Sequence, residues 1–121
     1  MSAGTLADRV RASRSHKIRA GTTHRFIDTS FVTVGERVFC RRYSFGEPSW
    51  HSAFLADPVG QVSLDGDVVD VLGGTPDDLE SINPAVNDAY IAKLTAQGAQ
   101  SWISWVREPR VMASTLELTA D

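Results

Sequence analysis

The stretch from Arg37 to Pro58, RVFCRRYSFGEPSWHSAFLADP, opens as a strand and closes as a helix. Val38, Phe39, Cys40 and Tyr43 give its first part β-branched and aromatic weight, and Arg41 and Arg42 stand side by side near the strand end. Because side chains alternate across a strand, one arginine must face each side. A polar turn follows, Ser44-Phe45-Gly46-Glu47-Pro48. Ser49 then occupies a helix N-cap position, with Trp50, Ala53 and Phe54 at helical spacing before Asp57-Pro58 ends the run. A helix start exposes unpaired N–H groups and partial positive charge, so arginines and a serine at its mouth suit a small anion such as phosphate. The competing reading is plainer: solvated arginines at a strand end and a serine that only caps.

Working outward, Lys17 to Ala20 alternates as a short strand before a Gly21-Thr22-Thr23 turn, and Arg25 to Val34 reads as one long strand. In that strand Phe26, Val32 and Val34 share one parity and Ile27 and Phe31 the other, so both faces need cover: a barrel interior on one side, helices or a second subunit on the other. Gly35-Glu36 turns it into the arginine-bearing strand. Asp65-Gly66 joins Gln61–Leu64 to Val68–Leu72 as a hairpin. Asn83-Pro84 reads as a helix start, with Val86, Tyr90 and Leu94 as its apolar stripe and Gly98 as its end. Trp102, Trp105 and Val106 give a further helical turn, and Arg110 to Thr119 alternates as a closing strand. Thr5 caps a helix bearing Leu6 and Val10, so residues 1–14 form an N-terminal helix or a partly disordered arm. The expected core is Phe26, Val32, Phe39, Val62, Leu64, Val71, Tyr90, Leu116 and Leu118.

At 121 residues and 42% hydrophobic content the chain is read as one domain, 1–121, with a core that needs no metal or disulfide staple. A net charge of −3 without a long basic run argues against nucleic acid as a partner. Cys40 is the one cysteine, which fits a reducing compartment. No stretch has the length of a membrane span and no secretory signal is visible, so the expected location is cytoplasmic.

The order S-x-G-x-P-x-W, then A-D-P and V-S-L, resembles that of the deazaflavin-dependent nitroreductases and, more loosely, other members of the FMN-binding split-barrel superfamily. INPAVNDAYIAKL, VFCRRY and VMASTLELT together look like a family of uncharacterised bacterial proteins, a domain of unknown function associated with that superfamily. The resemblance spans Lys17 to Thr119. Residue pattern alone leaves other small barrels and α+β sheets open; the resemblance implies a mainly β fold, a six-stranded antiparallel split β-barrel with peripheral helices. It further implies a homodimer with a cofactor groove at its interface. In such proteins basic and hydroxyl side chains around this strand-turn-helix hold the cofactor phosphate. Carried over, the cofactor-binding set is Arg41, Arg42, Tyr43, Ser44, Ser49, Trp50 and His51, and the cofactor is FMN or a deazaflavin, in an oxidoreductase acting on a small molecule. The sequence departs from the deazaflavin enzymes in having Phe45 and Glu47 where a basic residue often stands, and Glu47 would repel a phosphate. The alternative function is a cofactor-free ligand-binding protein or cofactor-independent enzyme using the same groove.

Other chemistry finds less support. His16, His24 and His51 lack metal-ligand spacing, no serine sits in a nucleophile elbow, and the acidic run from Asp65 to Glu80 lacks a calcium-loop pattern. Trp102 and Trp105 read as packing or as a stacking surface.

Overall fold

The computed structural model describes residues 5–43, 45–47 and 49–120. Seven strands form one antiparallel sheet: β1 (His16–Ala20), β2 (Ile27–Thr29), β3 (Phe31–Val34), β4 (Arg37–Cys40), β5 (Val59–Leu64), β6 (Asp67–Gly74) and β7 (Leu116–Ala120). Their order is β2-β1-β5-β6-β7-β4-β3, and the two end strands are consecutive in the chain, so the sheet curls into a nearly closed barrel. Around it lie α1 (Leu6–Ala12), α2 (Trp50–Ala56), α3 (Leu79–Ala96), α4 (Ile103–Val106) and α5 (Pro109–Ala113), with a 3-10 turn at Gln100–Trp102. Among the described residues no helix is long and apolar enough to cross a membrane.

The expected six strands become seven because the run from Arg25 to Val34 changes partners at Ser30. Ile27 pairs with Ile18 of β1, whereas Phe31 pairs with Cys40 of β4. At the break the Ser30 carbonyl accepts from the Tyr90 hydroxyl at 2.7 Å, and the same hydroxyl accepts the Arg41 N–H at 3.0 Å. A backbone group in the corner thus finds a side-chain partner in place of a ladder bond. Beyond it both parities are buried: Phe31 belongs to the barrel interior, Val32 to the layer under the helices.

Two cores result. The barrel interior holds Ile18, Phe31, Val38, Cys40, Val62, Leu64, Val71, Leu116 and Leu118, with Phe54 of α2 and Val10 of α1 packed against them. Phe54 lies against Gly60 and Gly73, where a Cβ would collide with its ring, so those two positions leave room only for glycine. The second core packs Val32 and Phe39 against Val86, Tyr90, Trp105, Val106 and Val111. Of the expected core residues Phe26 is the exception. It is half-buried, with the Arg19 guanidinium 4.3 Å above its ring.

Local signals explain most element ends. At α1 Thr5 Oγ1 accepts the Asp8 N–H and Asp8 returns the bond, a reciprocal cap. Asp65 (φ 53°) and Gly66 (φ 92°) turn the β5–β6 hairpin with both central residues left-handed, as its twist requires. Two expected boundaries are corrected. The long helix starts at Leu79, not at Asn83-Pro84, because Arg37 holds Asp78 with two bonds of 2.9 and 2.8 Å and the Asp78 carbonyl accepts the Ile82 N–H. Pro84 therefore sits inside the helix and costs it one internal bond. Residues 110–113, expected in the closing strand, belong instead to α5, with Pro109 in its first turn, so Val111 rather than Met112 is buried. The expected disorder of the first residues concerns positions 1–4, outside the described residues.

Candidate functional site

The two adjacent arginines do face opposite ways, and neither is open to solvent. Arg41 is 0% exposed. Its Nε donates to Thr115 Oγ1 (2.8 Å), Nη1 to Asn87 Oδ1 (2.6 Å) and the Val106 carbonyl (3.1 Å), and Nη2 to Asn83 Oδ1 (2.9 Å). Every acceptor is neutral. Burial accordingly pushes the guanidinium down to about 10, and the side chain ties α3, α4 and the start of β7 to the barrel. Arg42 donates to Glu47 Oε2 at 2.9 Å and lies over the Phe45 ring. The carboxylate expected to repel a phosphate thus pairs with one of the two arginines expected to bind it. Bonds from Ser52 and Ser49, then Arg42, hold Glu47 below the usual carboxylate range.

The remaining expected site residues divide. Tyr43 stacks on Trp105 with ring centres 5.1 Å apart, and Trp105 itself is buried and donates to the Arg42 carbonyl. Trp102 meets the pair edge-on and is 49% exposed. His51 is buried, and burial followed by the charge of Arg42 depresses its basicity; its Nε2 has no hydrogen-bond partner among the described residues. Ser44 lies outside the described residues. Ser49 Oγ caps α2 by accepting the Ser52 N–H at 3.1 Å, and the Ser49 carbonyl takes the Ala53 N–H. With only seven residues and its Ser52 N–H taken by the Ser49 side chain, α2 offers an anion little.

Ser49 and Trp50 do meet in a groove, with partners the sequence did not single out. A cavity of about 260 Å³ is lined by Arg19, Ala20, His24, Arg25 and Ile27 from the β1–β2 hairpin and by Ser49, Trp50 and Ala53 from α2. Trp50 is half-buried, braced edge-on by Phe54 with ring centres 6.5 Å apart. Arg19 is aimed by neutral groups: Nε and Nη2 donate to Gln61 Oε1, and Nη1 to the His24 carbonyl at 3.2 Å. Gln61 is fixed in turn by Asp70 at 2.7 Å. His24 and Arg25 are exposed, and no carboxylate is among the lining residues described. The groove therefore joins an indole wall and an apolar floor to a basic rim. The signal for it was present in Arg19-Ala-Gly-Thr-Thr-His-Arg25, where basic residues bracket a glycine turn. Among the described residues no three His, Cys, Asp or Glu side chains stand together as a metal site.

No protein-family model matches the sequence, and neither does any curated protein. Solved structures do. Among them is the crystal structure of a FAD-binding protein from Mesorhizobium loti, with a TM-score of 0.53 and 14% sequence identity over 98% of this chain and 87% of that one. At that identity the likeness shows the fold. The chain is an antiparallel split barrel with peripheral helices, as the resemblance implied, with seven strands in place of six.

Proposed function

We propose that the Trp50 groove binds a phosphate-bearing redox cofactor, FMN or a deazaflavin, and that the protein is an oxidoreductase acting on a small molecule. The observation that carries this reading is the pairing, in one groove, of a half-buried indole with Arg19, His24 and Arg25 and no lining carboxylate. A planar ring system stacks on the indole and Ile27, while a phosphate meets the arginines, whose charge-assisted bonds are among the strongest available to it. The fold shared with a FAD-binding protein supports the same reading. A bound flavin supplies hydride or two-electron chemistry; the chain binds it, orients it and excludes water. Ser49 and Trp50 remain in the proposed site, and Arg25 takes the phosphate role that position had suggested for Arg41 and Arg42.

The groove's size bears on assembly. About 260 Å³ is below the ~300–1,000 Å³ usual for drug-sized ligands, so one chain encloses only part of such a cofactor. A homodimer that closes the groove supplies the remainder, and Ile27 at the rim is exposed. The same small volume gives the second reading its footing: a lone chain fits a smaller planar anion without redox chemistry. An absorbance spectrum of the purified protein, light scattering, and titration with FMN, FAD and the deazaflavin coenzyme separate the two. A dimer that saturates with one of these cofactors supports the oxidoreductase reading. A colourless monomer that binds none at high micromolar concentration leaves only the second.

A further inference from the structure

A second cavity, sharing no lining residue with the Trp50 groove, lies where α1, β1, β3 and α3 meet. Its volume is about 380 Å³, and its walls are Val10, Phe31, Val32 and Ala89 with Ser13, Thr33, Arg11, His16 and Lys93. Lys93 is the unusual member. Its Nζ donates to the Phe31 carbonyl at 2.8 Å and approaches His16 Nδ1 at 3.4 Å. An ammonium has three donors, so one N–H remains.

The state of His16 follows from its partners. The Phe31 N–H can only donate, and it points to His16 Nδ1 at 3.1 Å, so Nδ1 accepts. Nε2 lies 3.1 Å from the Ser13 carbonyl and 3.3 Å from that of Val10, and therefore carries the proton. His16 is thus a neutral tautomer held at both ends, and burial followed by the nearby Lys93 charge lowers its basicity further. Its one free lone pair is shared between the Phe31 N–H and Lys93, and it offers Lys93 no negative charge. Arg11, the other cation in the wall, is engaged by Asp8 at 2.5 Å, Glu36 at 3.3 Å and the Gly35 carbonyl. Asp65, the acid that acts on His16 from the β5–β6 turn, is taken by the N–H groups of Arg14 and Ser15. Among the described residues Lys93 has no carboxylate at ion-pair distance, and burial alone pushes it down to about 8. A half-buried ammonium that faces a cavity with no carboxylate at ion-pair distance among the described residues is suited to an anionic ligand.

We propose that this cavity binds a small carboxylate with an apolar tail, the carboxylate seated on Lys93 Nζ and the tail against Phe31, Val10, Val32 and Ala89. Thr33 and Ser13 are the polar side chains at hand for the second oxygen, and the volume falls within the ~300–1,000 Å³ of small-molecule pockets. The proposal is independent of the Trp50 groove and of any flavin. Its test uses hexanoate as the probe and hexanol as the uncharged control, followed by amide and lysine-side-chain NMR on the whole chain. Hexanoate is expected to saturate in the millimolar range, as befits so small a ligand, with shifts at Lys93, Phe31 and Ala89 that hexanol does not reproduce. Lys93→Met should weaken it at least tenfold. Ala92→Phe, at an exposed lining position, should block it while leaving Lys93 in place, so the proposal stays testable if the first variant folds poorly. Equal shifts from hexanol, shifts that never saturate, or full binding by the Ala92 variant would overturn it.

Discussion

The Trp50 groove and the Lys93 cavity both combine apolar walls with basic side chains, yet they hold their charge in opposite ways. In the groove, Arg25 and His24 stand exposed at the rim and Arg19 is aimed by the neutral Gln61, so water already satisfies much of the charge. In the cavity one ammonium is half-buried against a carbonyl and a neutral imidazole, neither of which carries a negative charge. Arg41 is a third case, fully buried yet surrounded by acceptors, and it is architectural. A count of basic residues therefore says little about binding. What decides is whether the folded chain has already used their donors.

The largest expected effect separates architecture from binding. Arg41→Ala takes the guanidinium donor away from Asn87 Oδ1, Thr115 Oγ1 and the Val106 carbonyl and leaves Asn83 Oδ1 with only the Thr115 hydroxyl, and at roughly 1–3 kcal/mol per unsatisfied buried group should cost about 3 kcal/mol or more in a urea melt. A loss under about 1 kcal/mol would mean that the helices are held some other way.

Next comes the Lys93 cavity. Its folded pKa of about 8 lies below the ordinary 10.5, so between those pH values the unfolded chain binds more protons and stability rises with pH. The gain is at most about 3 kcal/mol by the pKa difference, and Lys93→Met should abolish that part of the wild-type pH profile. Buried Tyr90, whose pKa is raised, acts in the opposite sense at higher pH, so the comparison with the variant is the informative one. Gly60→Ala should cost roughly 1–3 kcal/mol, since its methyl meets the Phe54 ring and the Arg19 carbonyl. Arg25→Ala is expected to leave stability within about 0.5 kcal/mol, because the residue is exposed.

Elements specified by neighbouring residues were legible in the sequence. Asp65-Gly66 fixed a hairpin, Ser49 and Thr5 capped their helices, and alternation placed Phe39, Val62, Leu64 and Leu116 inward. Features decided by distant partners were not. The break at Ser30 depends on a hydroxyl at Tyr90, and the start of α3 depends on Arg37 gripping Asp78. The destination of Arg41 depends on asparagines more than forty positions away. Of the candidate groove only the α2 side was legible, for the same reason: Ser49 and Trp50 lay in the stretch that pattern picked out, whereas Arg19, His24 and Arg25 line the groove because β1 pairs with β5 and brings the hairpin against α2.

The most direct test of the account is an FMN titration of the wild-type protein, Arg25→Ala and Lys93→Met, followed by tryptophan and flavin fluorescence. Saturable binding is expected for wild type, with affinity at least tenfold lower in the Arg25 variant for the loss of one charge-assisted phosphate contact of about 1.5–3 kcal/mol, and no change in the Lys93 variant. Equal FMN affinity in wild type and Arg25→Ala, or no saturation of the wild type at high micromolar concentration, would contradict it.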